Sequence, residues 1–142
     1  MGVPYQLVRV LNRPTLSQNV KLKPEQGICV DLANRLRAFS LEGRLRCVWW
    51  HTPNEIGFVP GRLGKLKYAV ARAMGLIAGA PDYVFIGEKV ALLVEMKTET
   101  GTRSEQQKDF ETWCVFMGLQ VHLCRSVADV ETLLTKNGLL LK

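Results

Sequence analysis

Apolar residues recur every three or four positions in some stretches of this chain and run together or alternate in others, and the switches between the two patterns mark out its elements. Ile28, Leu32, Leu36 and Phe39 share one face of a helix expected from Pro24 to about Phe39. Pro24 suits its first turn, where the missing N–H has no partner to lose, and Gly43 lies beyond its end. Residues 46–51, with Val48, Trp49 and Trp50, read as a strand, and residues 52–61 as a loop. Residues 62–74 read as a second helix with Leu63, Leu66, Val70 and Met74 toward the core and Gly75 as its stop. Arg62, Lys65 and Arg72 share another face of that helix, which is basic.

The five apolar residues from Val90 to Val94 predict a fully buried strand that continues to Lys97. A turn at Gly87 and Glu88 pairs it with a strand over residues 83–86. Residues 104–117 then read as a helix with Phe110, Trp113, Cys114 and Met117 as its apolar face, closed by Gly118. Another buried strand is expected over residues 120–124, and Ser126 with Asp129 opens a last helix in a capping-box pattern. Residues 3–10 read as a short strand and residues 12–23, with Pro14, as a loop. No internal repeat or low-complexity linker divides the chain, so the expected organisation is an arm over residues 1–23 and one domain over residues 24–142.

A length of 142 residues with 47% hydrophobic content is enough for one domain with a substantial core. A formal charge of +6 suits a polyanionic partner and equally suits an ordinary basic surface. No apolar run approaches the roughly 18 to 20 residues of a membrane span. The first residues lack the pattern of a signal peptide, and Gln6 stands where a myristoylation motif has Ser or Thr, so the expected location is cytoplasmic, in the cytosol or nucleoid. Cys29, Cys47, Cys114 and Cys124 form no C-x-x-C pair and His51 and His122 no metal-binding spacing, which argues against zinc. Cys114 and Cys124 read as reduced core thiols.

Alternation along the strand sends Glu95 and Lys97 to one face and Met96 to the other. The tight turn brings Asp82, at the start of the hairpin, roughly opposite Glu95. Two carboxylates, with the backbone carbonyl of Met96, offer hard oxygen ligands of the kind that suit Mg2+, and a lysine beside them can orient or deprotonate a water. The alternative is a solvent-facing ion pair between Glu95 and Lys97, of little energetic weight. Glu25 lies about 20° from the line of Leu32 and Leu36 at 100° per residue, so it either aims toward the same site or serves as a first-turn acid favourable to the helix dipole.

Residues Trp50-His51-Thr52-Pro53-Asn54-Glu55, Gly75-Leu76-Ile77-Ala78-Gly79-Ala80-Pro81-Asp82, Glu95-Met96-Lys97, Ser104-Glu105-Gln106-Gln107 and Cys124-Arg125-Ser126 occur in an order that resembles the virus-type replication and repair nuclease domain, VRR-Nuc, of the PD-(D/E)XK nuclease superfamily. The resemblance spans roughly residues 24–135 and implies an α/β fold, a restriction-endonuclease-like core with a central mixed β-sheet flanked by helices. It further implies that Asp82, Glu95, Glu25 and the Met96 carbonyl hold Mg2+ or Mn2+ and that Lys97 is the catalytic lysine. Gln107 matches a glutamine that could position water or substrate, although Ser104 and Gln107 also form a capping box. Asn54 and His51 match a loop bordering the cleft, with His51 expected to be buried, and Trp49 and Trp50 are expected in the core.

The function so implied is metal-dependent hydrolysis of DNA, selective for branched, flap or junction structures, with Arg62, Lys65, Arg72, Asn54 and Arg103 on the nucleic acid. A homodimer would supply two cutting sites. Val3, Tyr5, Leu7 and Arg9 could extend a partner's sheet or fold back on their own domain. The competing readings are a noncatalytic nucleic-acid-binding subunit and a ribonuclease.

Overall fold

The computed structural model describes residues 2–53 and 61–142. Its elements are α1 (Gln6–Val10), α2 (Pro24–Leu41), β1 (Cys47–His51), α3 (Gly61–Ala73), β2 (Tyr83–Gly87), β3 (Ala91–Met96), α4 (Glu105–Phe116), β4 (Val121–Cys124) and α5 (Val127–Lys136). The strands form one mixed sheet in the order β1-β2-β3-β4. The first three run antiparallel to their neighbours, with Tyr83 opposite Val94 in the hairpin, and β4 lies parallel to β3 with Met96 opposite Cys124. A parallel pair needs a crossover, which α4 supplies. The chain has the α/β architecture expected, a mixed sheet flanked by helices.

The registers place Tyr83, Phe85, Leu92, Val94, Met96 and Cys124 on one face of the sheet. All six are buried in a single cluster with Leu32, Leu36 and Phe39 of α2 and Val130 and Leu134 of α5. The expected helical stripe of α2 is therefore its core face, with Ile28 half-buried at its edge. Ser126 caps α5 by accepting a bond from the Asp129 N–H, while the Asp129 carboxylate accepts from Arg125 N–H, one residue before the cap. Together these bonds satisfy two donors left open at the turn.

Several expectations are overturned. Residues 3–10 do not form a strand: α1 occupies Gln6–Val10, with Leu7 N–H bonded to the Pro4 carbonyl and none of its residues buried. An isolated alternating segment has no ladder to join, whereas a helical turn satisfies its own backbone. Leu63, Leu66, Val70 and Met74 of the second helix face out, Met74 at 83% exposure. On that helix Gly64 is buried and Tyr68 and Ala71 are half-buried. Amphipathic spacing shows which residues share a face but not what the face meets.

The apolar face of α4 is likewise open: Cys114 is buried, Phe110 half-buried, and Trp113 and Met117 are exposed. Trp49 is half-buried against the core, but Trp50, on the opposite face of β1, is exposed. His51 is exposed instead of buried and lies against Tyr83, ring centres 5.0 Å apart. The strands over 90–97 and 120–124 are not fully buried either, since Ala91 and Leu123 are exposed.

Candidate metal and catalytic site

The site forms where β2 begins and β3 ends. Asp82, buried just before β2, uses its two kinds of oxygen to hold the hairpin mouth: its Oδ2 accepts from Met96 N–H at 2.7 Å and its carbonyl from Thr52 N–H at 2.7 Å. Glu95, one residue earlier on the return strand, is 1% exposed and points to the face opposite Met96. Glu25 arrives from the first turn of α2, whose start is fixed by Pro24 and by Lys23 N–H donating to Gln26 Oε1 at 2.8 Å. One oxygen from each of Glu25, Asp82 and Glu95 lies within 4.8 Å of the others. Lys97 Nζ stands 3.9 Å from Glu25 Oε2 and 3.9 Å from Glu95 Oε1.

Gln107 reaches this cluster from α4, donating through Nε2 to Glu95 Oε1 at 2.6 Å. The same side chain completes the capping box, its Oε1 accepting from Ser104 N–H while Ser104 Oγ accepts from Gln107 N–H. The structural and site readings of Gln107 thus describe two ends of one amide. Helix α4 is seated close to the site by Gly79, whose φ of +89° and contact with the Gln106 backbone leave no room for a Cβ.

Burial, and after it the neighbouring Asp82 carboxylate, pushes Glu95 well above the usual carboxylate range, to about 9, with Lys97 opposing the shift only in part. Without a cation Glu95 therefore carries its proton at neutral pH. The three converging carboxylates form a hard oxygen set suited to a divalent ion, which would displace the proton that burial first and Asp82 second favour on Glu95. Burial also raises the Cys47 and Cys124 thiols to about 11, so neither offers a thiolate nucleophile near neutrality.

The proposed nucleic-acid residues are dispersed. Arg62, Lys65 and Arg72 lie exposed on α3, outside the carboxylate cluster, with Arg72 donating to the Tyr68 hydroxyl. Arg103 is paired with Glu111 of α4. Asn54 lies outside the described residues. Arg125, which the sequence placed in a matching segment without a role, donates to the carbonyls of Thr98, Glu99 and Gly101 at 2.7, 3.1 and 2.8 Å. It thereby ties the loop following Lys97 to the end of β4. Its place in the segment Cys124-Arg125-Ser126 was the available signal, but its partners are backbone atoms distant in sequence.

A solved VRR_NUC domain protein matches this architecture with a TM-score of 0.56 over 82% of this chain and 89% of that one, at 16% sequence identity. The chain has a VRR-Nuc-like fold. No family model and no curated relative matches it. The acidic cluster at the hairpin mouth is compatible with use of a divalent metal. Among the described residues no helix is long and apolar enough to cross a membrane.

Proposed function

We propose that the protein belongs to the VRR-Nuc nucleases and hydrolyses phosphodiester bonds in DNA with Mg2+ or Mn2+. The observation that carries this reading is the convergence of Glu25, Asp82 and Glu95 with Lys97 within ion-pair distance of two of them. Glu25, Asp82 and Glu95, with the Met96 carbonyl, would hold the ion. When bound, that ion supplies charge to oppose the negative charge developing on the phosphoryl oxygens. Lys97 Nζ stands beside the acids, where it orients the attacking water. Gln107 fixes the Glu95 carboxylate through its short hydrogen bond and so sets which oxygens face the reaction. Arg62, Lys65, Arg72 and Arg103 supply positive charge, and Asn54 a neutral amide donor, for backbone phosphates, which positions DNA without reading its sequence.

Among the described residues no element is suited to reading bases in a groove, and selection by DNA structure, such as a flap or junction, is the reading we adopt. Symmetric cutting of such a branch needs two sites, hence a homodimer. The arm does not form the strand that would have extended a partner's sheet, so the proposed contact moves to the outward apolar residues of α3. The decisive experiment incubates single-stranded, duplex, flap and four-way-junction DNA, and matching RNA, with Mg2+, Mn2+ or chelator. Cleavage that requires metal and disappears in Glu95→Ala supports the reading; chelator-resistant binding with no cleavage of any substrate would replace it with a binding subunit.

A further inference from the structure

A cavity of about 640 Å³ opens beside Glu25 and Asp82 and runs between α2, β1 and the N-terminal segment. Its volume lies within the roughly 300 to 1,000 Å³ of sites that enclose small organic groups. The walls differ in chemistry. From β1 and β2 come three rings in a row, with Trp49 and His51 centred 6.5 and 5.0 Å from Tyr83. Two are fixed from behind: Trp49 Nε1 donates to Ser40 Oγ at 3.0 Å and the Tyr83 hydroxyl to the Cys29 carbonyl at 3.0 Å. The N-terminal segment faces them with Leu16, Leu22 and Arg13, and α2 contributes Arg37, twelve residues or about 18 Å along the helix from Glu25.

Preset ring faces flanked by cations are the chemistry that holds an unpaired nucleotide, because every base offers a π-face and every linkage a negative charge. A base inside a duplex is already stacked and paired, so it has no face to present to these rings. The groove is continuous with the carboxylates, so a strand lying in it leads toward Glu25 and Asp82. We infer that this groove takes a short unpaired stretch of a DNA strand, a base against Trp49 and His51 and its phosphates on Arg13 and Arg37, on the way to the bond to be cut. The inference rests on the nuclease reading and deepens it, since it names the strand feature that brings a substrate to the metal site. It also gives the N-terminal segment a task, that of the groove's outer wall.

The test measures equilibrium binding in chelator, where no cutting occurs, of a short oligothymidine, a short duplex and an oligouridine. Arg13→Ala combined with Arg37→Ala should weaken the oligothymidine about tenfold and lower its dependence of log affinity on log salt by about 1.4, the slope for two phosphates of a single strand. Duplex binding should change less than about twofold, since other surfaces carry it. Ala33→Phe, which fills the groove from α2 without altering charge, should weaken the oligothymidine while leaving the salt slope intact. Equal losses on single strand and duplex, or no loss in either variant while thermal stability is kept, would overturn the inference. Oligouridine bound more than about tenfold tighter than oligothymidine would overturn the assignment to DNA. The two readings fail separately: no metal-dependent cleavage of any strand removes the nuclease, whereas normal cleavage with unselective binding losses removes only the groove.

Discussion

The two faces of the sheet are built to different standards. On one, α2 and α5 close over Tyr83, Phe85, Leu92, Val94 and Met96, and the whole set is buried. On the other, Val48, Trp50, Ile86 and Leu123 remain exposed, and α4 leaves Trp113, Phe116 and Met117 uncovered. The candidate site lies at the seam. Glu25 comes from the helix of the closed face and Gln107 from the helix of the open one, while Asp82 and Glu95 come from the strands between them. The closed face supplies rigidity, so the carboxylates stand on elements that burial holds in place. The open face leaves apolar surface for a contact outside the chain.

The largest expected effect falls at the seam. Lys97→Ala should lower metal-dependent cleavage by about 10² to 10⁴, the range for loss of a positioned acid or base, with DNA binding retained. Single-turnover rates at saturating DNA provide the measurement, and an unchanged rate would remove Lys97 from the chemistry.

Next come changes that set the faces against each other. Leu134→Ala on the closed face should cost about 2 to 5 kcal/mol in denaturant unfolding, because the residue is fully buried and its loss leaves a cavity. A cost below about 1 kcal/mol would show that this face is less tightly packed than its burial indicates.

The third prediction concerns pH. In the metal-free protein the folded state keeps a proton on Glu95 up to about 9, while the unfolded chain releases it near 4.5. The folded state thus binds more protons across this window, so stability is full below 4.5 and falls as pH rises through about 9. Melting temperature measured in chelator should decline over that window, and Glu95→Gln should flatten the decline. Saturating Mg2+ should flatten it too, since the ion replaces the proton. A melting temperature that rises through the window would contradict the protonated state assigned to Glu95.

The smallest effect belongs to the outward face of α3. Leu66→Ser and Val70→Ser should each change monomer stability by no more than about 0.5 kcal/mol, as expected of surface positions. Sedimentation tests their other role: if a second copy covers this face, the double substitution shifts the protein toward monomer at micromolar concentration. A dimer indifferent to both would place the contact elsewhere.

Much of this was legible along the chain. The apolar spacing of Ile28, Leu32, Leu36 and Phe39 determined a helix and its core face, and the run ending in Glu95, Met96 and Lys97 determined a strand carrying two charges on one side. A tight turn close to Gly87 determined that Asp82 would meet the end of that strand, but the structure moves the turn one residue on, to Glu88 and Lys89, with Gly87 N–H bonded to the Val90 carbonyl inside the ladder. Local geometry suffices for such inferences because the residues involved belong to one element or to neighbours joined by a tight turn.

The tertiary structure alone decided which apolar stripes find a partner. Leu63, Leu66, Val70 and Met74 carry the same periodic signal as the stripe of α2, yet they are exposed, while Gly64 of the same helix is buried. It alone decided that residues 6–10 close a helical turn and that Gln107 both caps α4 and binds Glu95. It also decided that Arg125 would hold the loop behind Lys97. Periodicity reports the geometry of one element, whereas burial and long-range hydrogen bonds depend on how separate elements dock, and no local spacing encodes that.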